Sequence, residues 1–323
     1  MPRRARGHAG VFPKKRFYAL LISLIAYVFY LLFSPENSGE LEKYFTARQY
    51  PAYAPSDSVR VCTWNVRNYN VSNRRVDKLW QSYPKPENER REVCQVLKNI
   101  DADIVLIEEM GDETFLEDLR SRLEKLGLKY AFCIVAKRDA PSRLAILSKI
   151  PPDRVFDFSY TKFAFDGGNV VSPRGTIGVK VSVADLQMYV FAVHLKSKVG
   201  ARKRDEQFAP FRHAELRAIS ARIKSVAGSE KTLIAGDFND EPTKSIMRNL
   251  KGYQVVPQSD SFGLNYTHYW EKKNIFYQYD FFVAANFKTL PRAVVLACPP
   301  EASDHRPVYV DIPTGLKRAQ KAN

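Results

Sequence analysis

From Val59 to Ile312, short β-branched and apolar runs alternate with longer amphipathic stretches. The runs Val59–Trp64, Ile104–Ile107, Ala145–Leu147, Gly178–Val183, Tyr189–Val193, Thr232–Ala235, Phe281–Ala284 and Val308–Ile312 have strand length and strand composition. Between some of them the apolar period changes to that of a helix. Val93, Val96, Leu97 and Ile100 fall at i, i+3, i+4 and i+7, and Leu116, Leu119, Leu123 and Leu126 repeat similarly. Leu216, Ile219, Ile223 and Val226 make a third stripe, and a fourth helix is expected after Thr243 with Ile246, Met247 and Leu250 inward. Stripes at this spacing are core faces rather than ligand boxes. Strands separated by helices, mixed with adjacent strand pairs, predict a layered α/β protein with two packed sheets.

The N-terminus follows another pattern. Phe17–Phe33 carries no charge on any face and meets the lower limit of ~17–25 residues for a membrane-spanning helix. Arg3, Arg4, Arg6, Lys14, Lys15 and Arg16 precede it, which keeps that end cytoplasmic by the positive-inside rule. The expectation is a basic cytoplasmic segment over 1–16, a transmembrane anchor over 17–33, a linker over 34–58, a domain over 59–313 and a disordered basic tail over 314–323. The domain would then lie outside the cytoplasm on a single-pass cell-membrane protein. The alternative is secretion after signal cleavage, but the small-residue pattern Ala52-Tyr53-Ala54 is far downstream and precedes Pro55. The formal net charge of +15 suits an anionic partner such as nucleic acid, phospholipid or a phosphorylated small molecule, and equally suits solubility alone. Cys62, Cys94, Cys133 and Cys298 lack the close spacing of a zinc site.

Chemistry collects where apolar runs stop. Asn65 follows Val59–Trp64, Glu108-Glu109 follows Ile104–Ile107, and His194 follows Tyr189–Val193. Gly236-Asp237-Phe238-Asn239 follows Thr232–Ala235, Asp280 opens a late strand, and Asp304-His305 precedes the last one. Taken singly, each reads as a turn, a cap or a structural histidine. Together, at the ends of strands, carboxylates, amides and imidazoles suit the joint binding of a hard divalent cation and a phosphate.

The segments Thr63-Trp64-Asn65-Val66, Asp103–Glu109, Leu144–Ser148, His194-Leu195-Lys196-Ser197, Gly236–Asn239, Tyr279–Val283 and Ser303–Val308 resemble the signature blocks of the endonuclease/exonuclease/phosphatase superfamily, in its order. The resemblance implies a deoxyribonuclease-I-like fold: a four-layer α/β sandwich of two mixed β-sheets flanked by helices, here with an N-terminal transmembrane helix, as in a membrane-anchored bacterial-type member. It implies Mg²⁺ as cofactor, with Mn²⁺ as a substitute, bound by Glu109 with Asn65 and Asp304. Asp237 and Asn239 would activate water and contact phosphate. His305, paired with Asp280, would stabilise or protonate the phosphoryl group, and His194 would protonate the leaving oxygen. Arg174 and Lys196 would bind phosphate. Two departures stand out. Glu108 occupies the family's usual Gln position, adding a negative charge beside the metal, and no acid near Ser142-Arg143 is available to partner His194.

The implied function is metal-dependent phosphodiester hydrolysis. Basic loops with Lys196, Lys198, Arg202, Lys203 and Arg204, and with Arg67, Arg74, Arg75 and Lys78 near Trp80 and Tyr83, favour DNA or RNA as substrate. The alternatives are a phospholipid, sphingomyelin or inositol-phosphate phosphoesterase, which a membrane anchor suits, and a non-catalytic tethered module that binds anionic ligands.

Overall fold

The computed structural model describes residues 52–198 and 209–316. The apolar run Phe17–Phe33, most of the linker and the loop carrying Arg202, Lys203 and Arg204 lie outside the described residues. Among the described residues, no helix is long and apolar enough to cross a membrane.

The chain opens with β1 (Ser58–Tyr69), β2 (Val71–Val76), β3 (Leu79–Pro84), α1 (Glu87–Ile100), β4 (Ile104–Met110) and α2 (Glu113–Lys125). It continues through β5 (Phe132–Val135), β6 (Arg143–Ser148), β7 (Arg154–Asp157), β8 (Lys162–Phe165), β9 (Gly168–Val171), β10 (Thr176–Val183) and β11 (Leu186–His194). Then come α3 (Ala209–Ala227), β12 (Thr232–Asp237), α4 (Lys244–Met247), β13 (Gln254–Val255), β14 (Gln258–Ser259), β15 (His268–Trp270) and β16 (Ile275–Tyr277). The last strands are β17 (Asp280–Ala285), β18 (Ala293–Val295) and β19 (Val308–Pro313).

One sheet has the order β14-β18-β19-β1-β4-β6-β5, and the other β13-β17-β12-β11-β10-β7. Both are mixed. β1 runs parallel to β4 and antiparallel to β19, and β11 runs parallel to β12 and antiparallel to β10. Side chains alternate along each strand, so each sheet has two faces to cover. Val59 and Val61 of β1, Ile104 and Leu106 of β4, Val190 and Ala192 of β11, Leu233 and Ala235 of β12, and Phe282 and Ala284 of β17 fill the space between the sheets. The opposite parity faces the helices. Cys62, Trp64, Val105 and Ile107 pack with Val93, Val96 and Leu97 of α1 and Leu116 and Leu119 of α2. Tyr189, Phe191, Ile234 and Phe281 pack with Leu216, Ile219 and Ile223 of α3. These three apolar clusters make the four layers of the sandwich.

All eight expected strands and all four expected helices are present, most with longer bounds. β1 runs four residues past Asn65, through Arg67 and Asn68 with φ of 49° and 54° and a shift of register against β4. The tail joins later than expected: Thr314 is buried, its N–H donates to the Asp57 carbonyl at 2.9 Å, and its hydroxyl donates to the Ser56 carbonyl at 2.7 Å. The domain thus takes in the end of the 34–58 segment and the start of the 314–323 segment.

At Gly236, just before Asp237, φ is +144° and an added Cβ would fall on the Val193 carbonyl oxygen of the neighbouring strand. Gly236→Ala is expected to cost roughly 3 kcal/mol through backbone strain and overpacking. The check is a lowered urea midpoint with an unchanged m-value.

Candidate active site

The floor of the site is the inter-sheet core carried one step further. By strand alternation Thr63 and Asn65 follow Val59 and Val61 on the inner face of β1, and Glu108 follows Leu106 on β4. His194 follows Ala192, Asp237 follows Ala235, and Asp280 precedes Phe282 in the same way. Register then sets them side by side: Asn65 opposite Glu108, His194 opposite Asp237, and Asp237 opposite Asp280. Polar groups replace apolar ones where the two sheets run out, and all of these residues are buried.

Glu109 breaks the alternation. Its φ of +63° and the register shift between Ile107 and Met110 turn its carboxylate back toward the site. Oε2 accepts the Asn68 N–H at 2.9 Å, and the Asn65 amide donates to Oε1 at 3.3 Å and to Asp237 Oδ2 at 3.1 Å. Asn65 therefore bridges the two carboxylates. Its own orientation is fixed because its Oδ1 accepts the Arg67 N–H at 3.0 Å.

Glu108 behaves differently from the extra charge expected at this position. It points between the sheets and is fully buried, and its Oε1 accepts the Thr63 hydroxyl at 2.9 Å. Burial, reinforced by Asp280 and Asp237, holds its acid well above the usual range. A neutral Glu108 reproduces the uncharged Gln of the family pattern.

His305 Nδ1 sits 2.8 Å from Asp280 Oδ2, and its Nε2 is 3.9 Å from Asp237 Oδ2. Burial alone would lower this imidazole, but Asp280 and then Asp237 outweigh it and hold the cation well above pH 6.5. The turn carrying His305 is tied to β1. Trp64 Nε1 donates to the His305 carbonyl at 2.9 Å, and the Ser303 hydroxyl donates to the Asn65 carbonyl at 2.7 Å. His194 is the opposite case. Burial, then Arg174 and His305, push it well below its usual value, so it is neutral. Its Nε2 lies 3.5 Å from Asp237 Oδ2, and its buried Nδ1 has no hydrogen-bond partner among the described residues. The carboxylate missing near Ser142-Arg143 is not supplied by another part of the described fold. Asp237 Oδ1 accepts the Asn239 N–H at 2.8 Å, and burial is the main cause of its raised carboxyl pKa.

On the phosphate side, Leu195 O accepts from Arg174 Nη1 at 3.2 Å and from Asn239 Nδ2 at 3.1 Å, so one carbonyl sets both side chains. Two residues missed in the sequence build this region from α3. Buried Glu215 takes the Ser172 hydroxyl at 2.6 Å on Oε1 and the Lys196 N–H at 2.9 Å on Oε2. Ser172 Oγ in turn accepts the Gly175 N–H at 2.8 Å, closing the turn that carries Arg174. Arg212, one turn earlier and also buried, donates to Asp240 Oδ2 at 3.0 Å and to the Lys196 carbonyl at 3.4 Å. Only their polarity within an otherwise apolar helical stripe could have flagged them. Glu215→Ala is expected to lower kcat/KM about 100-fold by loosening Arg174 and Lys196. Glu215→Gln should fall between it and wild type, and steady-state kinetics on a phosphodiester checks the order.

Asp304 stands apart from the floor. Its side chain is 42% exposed, and its Oδ1 lies 3.9 Å from Arg67 Nε. The carboxylate oxygens of Glu109 and Asp237, bridged by the Asn65 amide, are of the kind that suits a hard cation. Asp280 Oδ1 is buried without a hydrogen-bond partner among the described residues, a state that a proton or a cation would relieve. Asp237, Asp280 and His305 also offer ligand atoms within 4.8 Å of one another. His305 Nδ1 is already engaged by Asp280, so the all-oxygen set suits Mg²⁺ better.

The fold is that of the deoxyribonuclease-I-like sandwich. The chain belongs to the endonuclease/exonuclease/phosphatase family, whose model matches residues 62–305. The structure is similar to a β toxin from Staphylococcus aureus, with TM-score 0.59 and 16% identity over 78% of this chain and 99% of that one. A doubly substituted form of that toxin with bound magnesium ions gives 0.58 and 16%, covering 79% and 99%. A truncated TDP2 from Caenorhabditis elegans gives 0.55 and 12%, covering 79% and 97%. At these identities the likenesses show the fold alone. No curated protein matches the sequence significantly.

Proposed function

We propose that this chain is a Mg²⁺-dependent phosphodiesterase acting on nucleic acid, anchored through Phe17–Phe33 with its domain outside the cytoplasm. The observation that carries the chemistry is the Glu109–Asn65–Asp237 bridge beside the Asp280–His305 pair. When bound, the metal neutralises charge on the phosphoryl oxygens. Glu109 would hold it, with the Asn65 amide fixing that carboxylate and Asp280 Oδ1 offering a further oxygen.

The protein's own groups supply the rest. Asp237 is fixed by N–H donors from Asn239 and Asn65, and its raised carboxyl lets it align water and take its proton. Arg174, Asn239 and Lys196 hold the phosphate. His305, kept cationic by Asp280, donates toward the phosphoryl group. Neutral His194 donates a hydrogen bond toward the leaving oxygen rather than acting as a charge. The preference for nucleic acid rests on the net charge of +15 and the basic, aromatic segment after Asn65.

The test is a substrate panel for the full-length chain in detergent: plasmid and single-stranded DNA, RNA, sphingomyelin and inositol phosphates, each with Mg²⁺ or EDTA. Mg²⁺-dependent cleavage of DNA or RNA is expected. Turnover of only sphingomyelin or inositol phosphates would replace the substrate class, and metal binding without turnover of any would replace the enzyme by a binding module.

A further inference from the structure

Beyond Asn68, which bonds Glu109, β1 runs into the hairpin β2–β3. Asp77 and Lys78 form its two-residue turn, with φ of 50° and 68° between the paired residues Val76 and Leu79. Two left-handed residues in a two-residue loop match the twist of the strands and make a stiff hairpin. Its root is locked. Lys85 is fully buried, with its N–H on the Asn70 carbonyl at 3.1 Å and its ammonium on the Arg67 carbonyl at 3.2 Å.

The two faces of the hairpin differ. Arg74 belongs to the face turned to the body: its guanidinium donates to the Asn68 carbonyl and lies 3.7 Å from Glu89. Cross-strand pairs share a face, so Arg75 with Trp80 and Asn73 with Ser82 form the outward one. Trp80 is 69% exposed there, directly across from the exposed Arg75. A tryptophan so exposed adds little to the core and leaves its ring open to a partner, the setting in which tryptophan is enriched at interfaces.

We infer that β2–β3 is an arm that holds an unpaired nucleic-acid strand, with a base stacked on Trp80 and the adjoining phosphate on Arg75. This deepens the nucleic-acid reading above and rests on it. Three features of the outward face select this occupant. Its one aromatic ring suits a base, its cation suits a phosphate, and Asn73 and Ser82 offer neutral hydrogen bonds to base edges or sugar. With Arg74 turned to Glu89, Arg75 and Lys78 against Asp77 leave the outer part of the arm basic, complementary to a polyanion. Val71 (44% exposed) and Pro84 share this face near its root and Leu79 (70% exposed) sits beside Trp80 on the opposite one, but around the ring the outward face carries Asn73, Arg75 and Ser82, the polar and cationic groups that a polyanion uses. The arm is also continuous with the site: Arg74 holds the Asn68 carbonyl while the Asn68 N–H holds Glu109 Oε2 at 2.9 Å. A strand gripped at Trp80 is therefore placed relative to the metal ligand.

The experiment measures fluorescence anisotropy of a labelled oligothymidylate, and of a duplex of equal length, with the full-length chain in phosphatidylcholine nanodiscs and EDTA. Trp80→Ala and Arg75→Glu are each expected to raise Kd for the single strand about tenfold, with a smaller change for the duplex. Their melting temperatures should match wild type, because both side chains are exposed. Unchanged single-strand affinity in both variants overturns the arm, as does an equal loss for duplex. So does quenching of Trp80 fluorescence by brominated lipid, absent in Trp80→Phe, which would place the tip in a bilayer. If wild type cleaves DNA or RNA while the variants bind normally, only the arm fails. If wild type neither binds nor cleaves nucleic acid, the substrate reading fails first.

Discussion

His305→Ala is expected to lower kcat on a phosphodiester about 1000-fold, with KM little changed and the fold intact. The loss is large because His305 is the one imidazole at the described floor that its surroundings keep charged. Asp280 Oδ2 at 2.8 Å and Asp237 Oδ2 at 3.9 Å outweigh burial. The fold survives because the main chain supplies the structural contact there, with the His305 carbonyl accepting from Trp64 Nε1. The pH profile tests the cause. A folded pKa raised above the free value keeps the imidazolium through neutrality, and it is lost only as pH rises through that higher value. Wild-type kcat should therefore show no falling limb near pH 6.5, whereas Asp280→Asn should bring one into the neutral range. The same sign governs stability: the His305–Asp280 pair contributes fully below about pH 6.5 and loses its contribution as pH rises through the folded value. A His305→Ala enzyme with wild-type kcat would remove His305 from the chemistry.

Glu109→Gln is the second change with a large expected effect. It should weaken Mg²⁺ binding by more than about 100-fold, read by calorimetry without any substrate. Gln keeps an oxygen for the Asn68 N–H, so the left-handed turn at φ +63° and the bulge around it should persist. What is lost is the negative charge that a hard cation requires. Activity should return in part at high Mg²⁺. Wild-type Mg²⁺ affinity in this variant would move the metal onto Asp237, Asp280 and His305, the other close set of ligand atoms.

The strands and helices were legible because burial imposes a simple period: two on β1, β4, β11, β12 and β17, and 3.6 on α1, α2 and α3. The strand-end residues Asn65, His194, Asp237 and Asp280 were legible for the same reason, since each continues a parity already set by its strand. Glu108 and Glu109 show where that reasoning stops. A single left-handed residue reverses which of two adjacent carboxylates reaches the site, and periodicity carries no sign of it. The β2–β3 hairpin reads in sequence as a basic loop because Asp77-Lys78 lacks the glycine that usually marks such a turn. Arg212 and Glu215 were hidden because their partners, the Lys196 backbone and Ser172, lie far away in sequence. Asn239 and Arg174 meet on a main-chain carbonyl, which no pattern of side chains reveals. The apolar run Phe17–Phe33, the loop after Lys198 and the tail beyond Leu316 lie outside the described residues.

The site's position at the end of the inter-sheet face means that catalysis and cohesion compete for the same space. Asp237, Asp280 and Glu108 occupy positions where the strand pattern would otherwise place valine or leucine. Each is a buried acid whose neighbours are also acids. Filling those positions with aliphatic side chains should yield a sturdier and inert protein. Without metal, this end of the sandwich is expected to be the first to loosen, and hydrogen exchange at the ends of β12 and β17 should slow when Mg²⁺ is added.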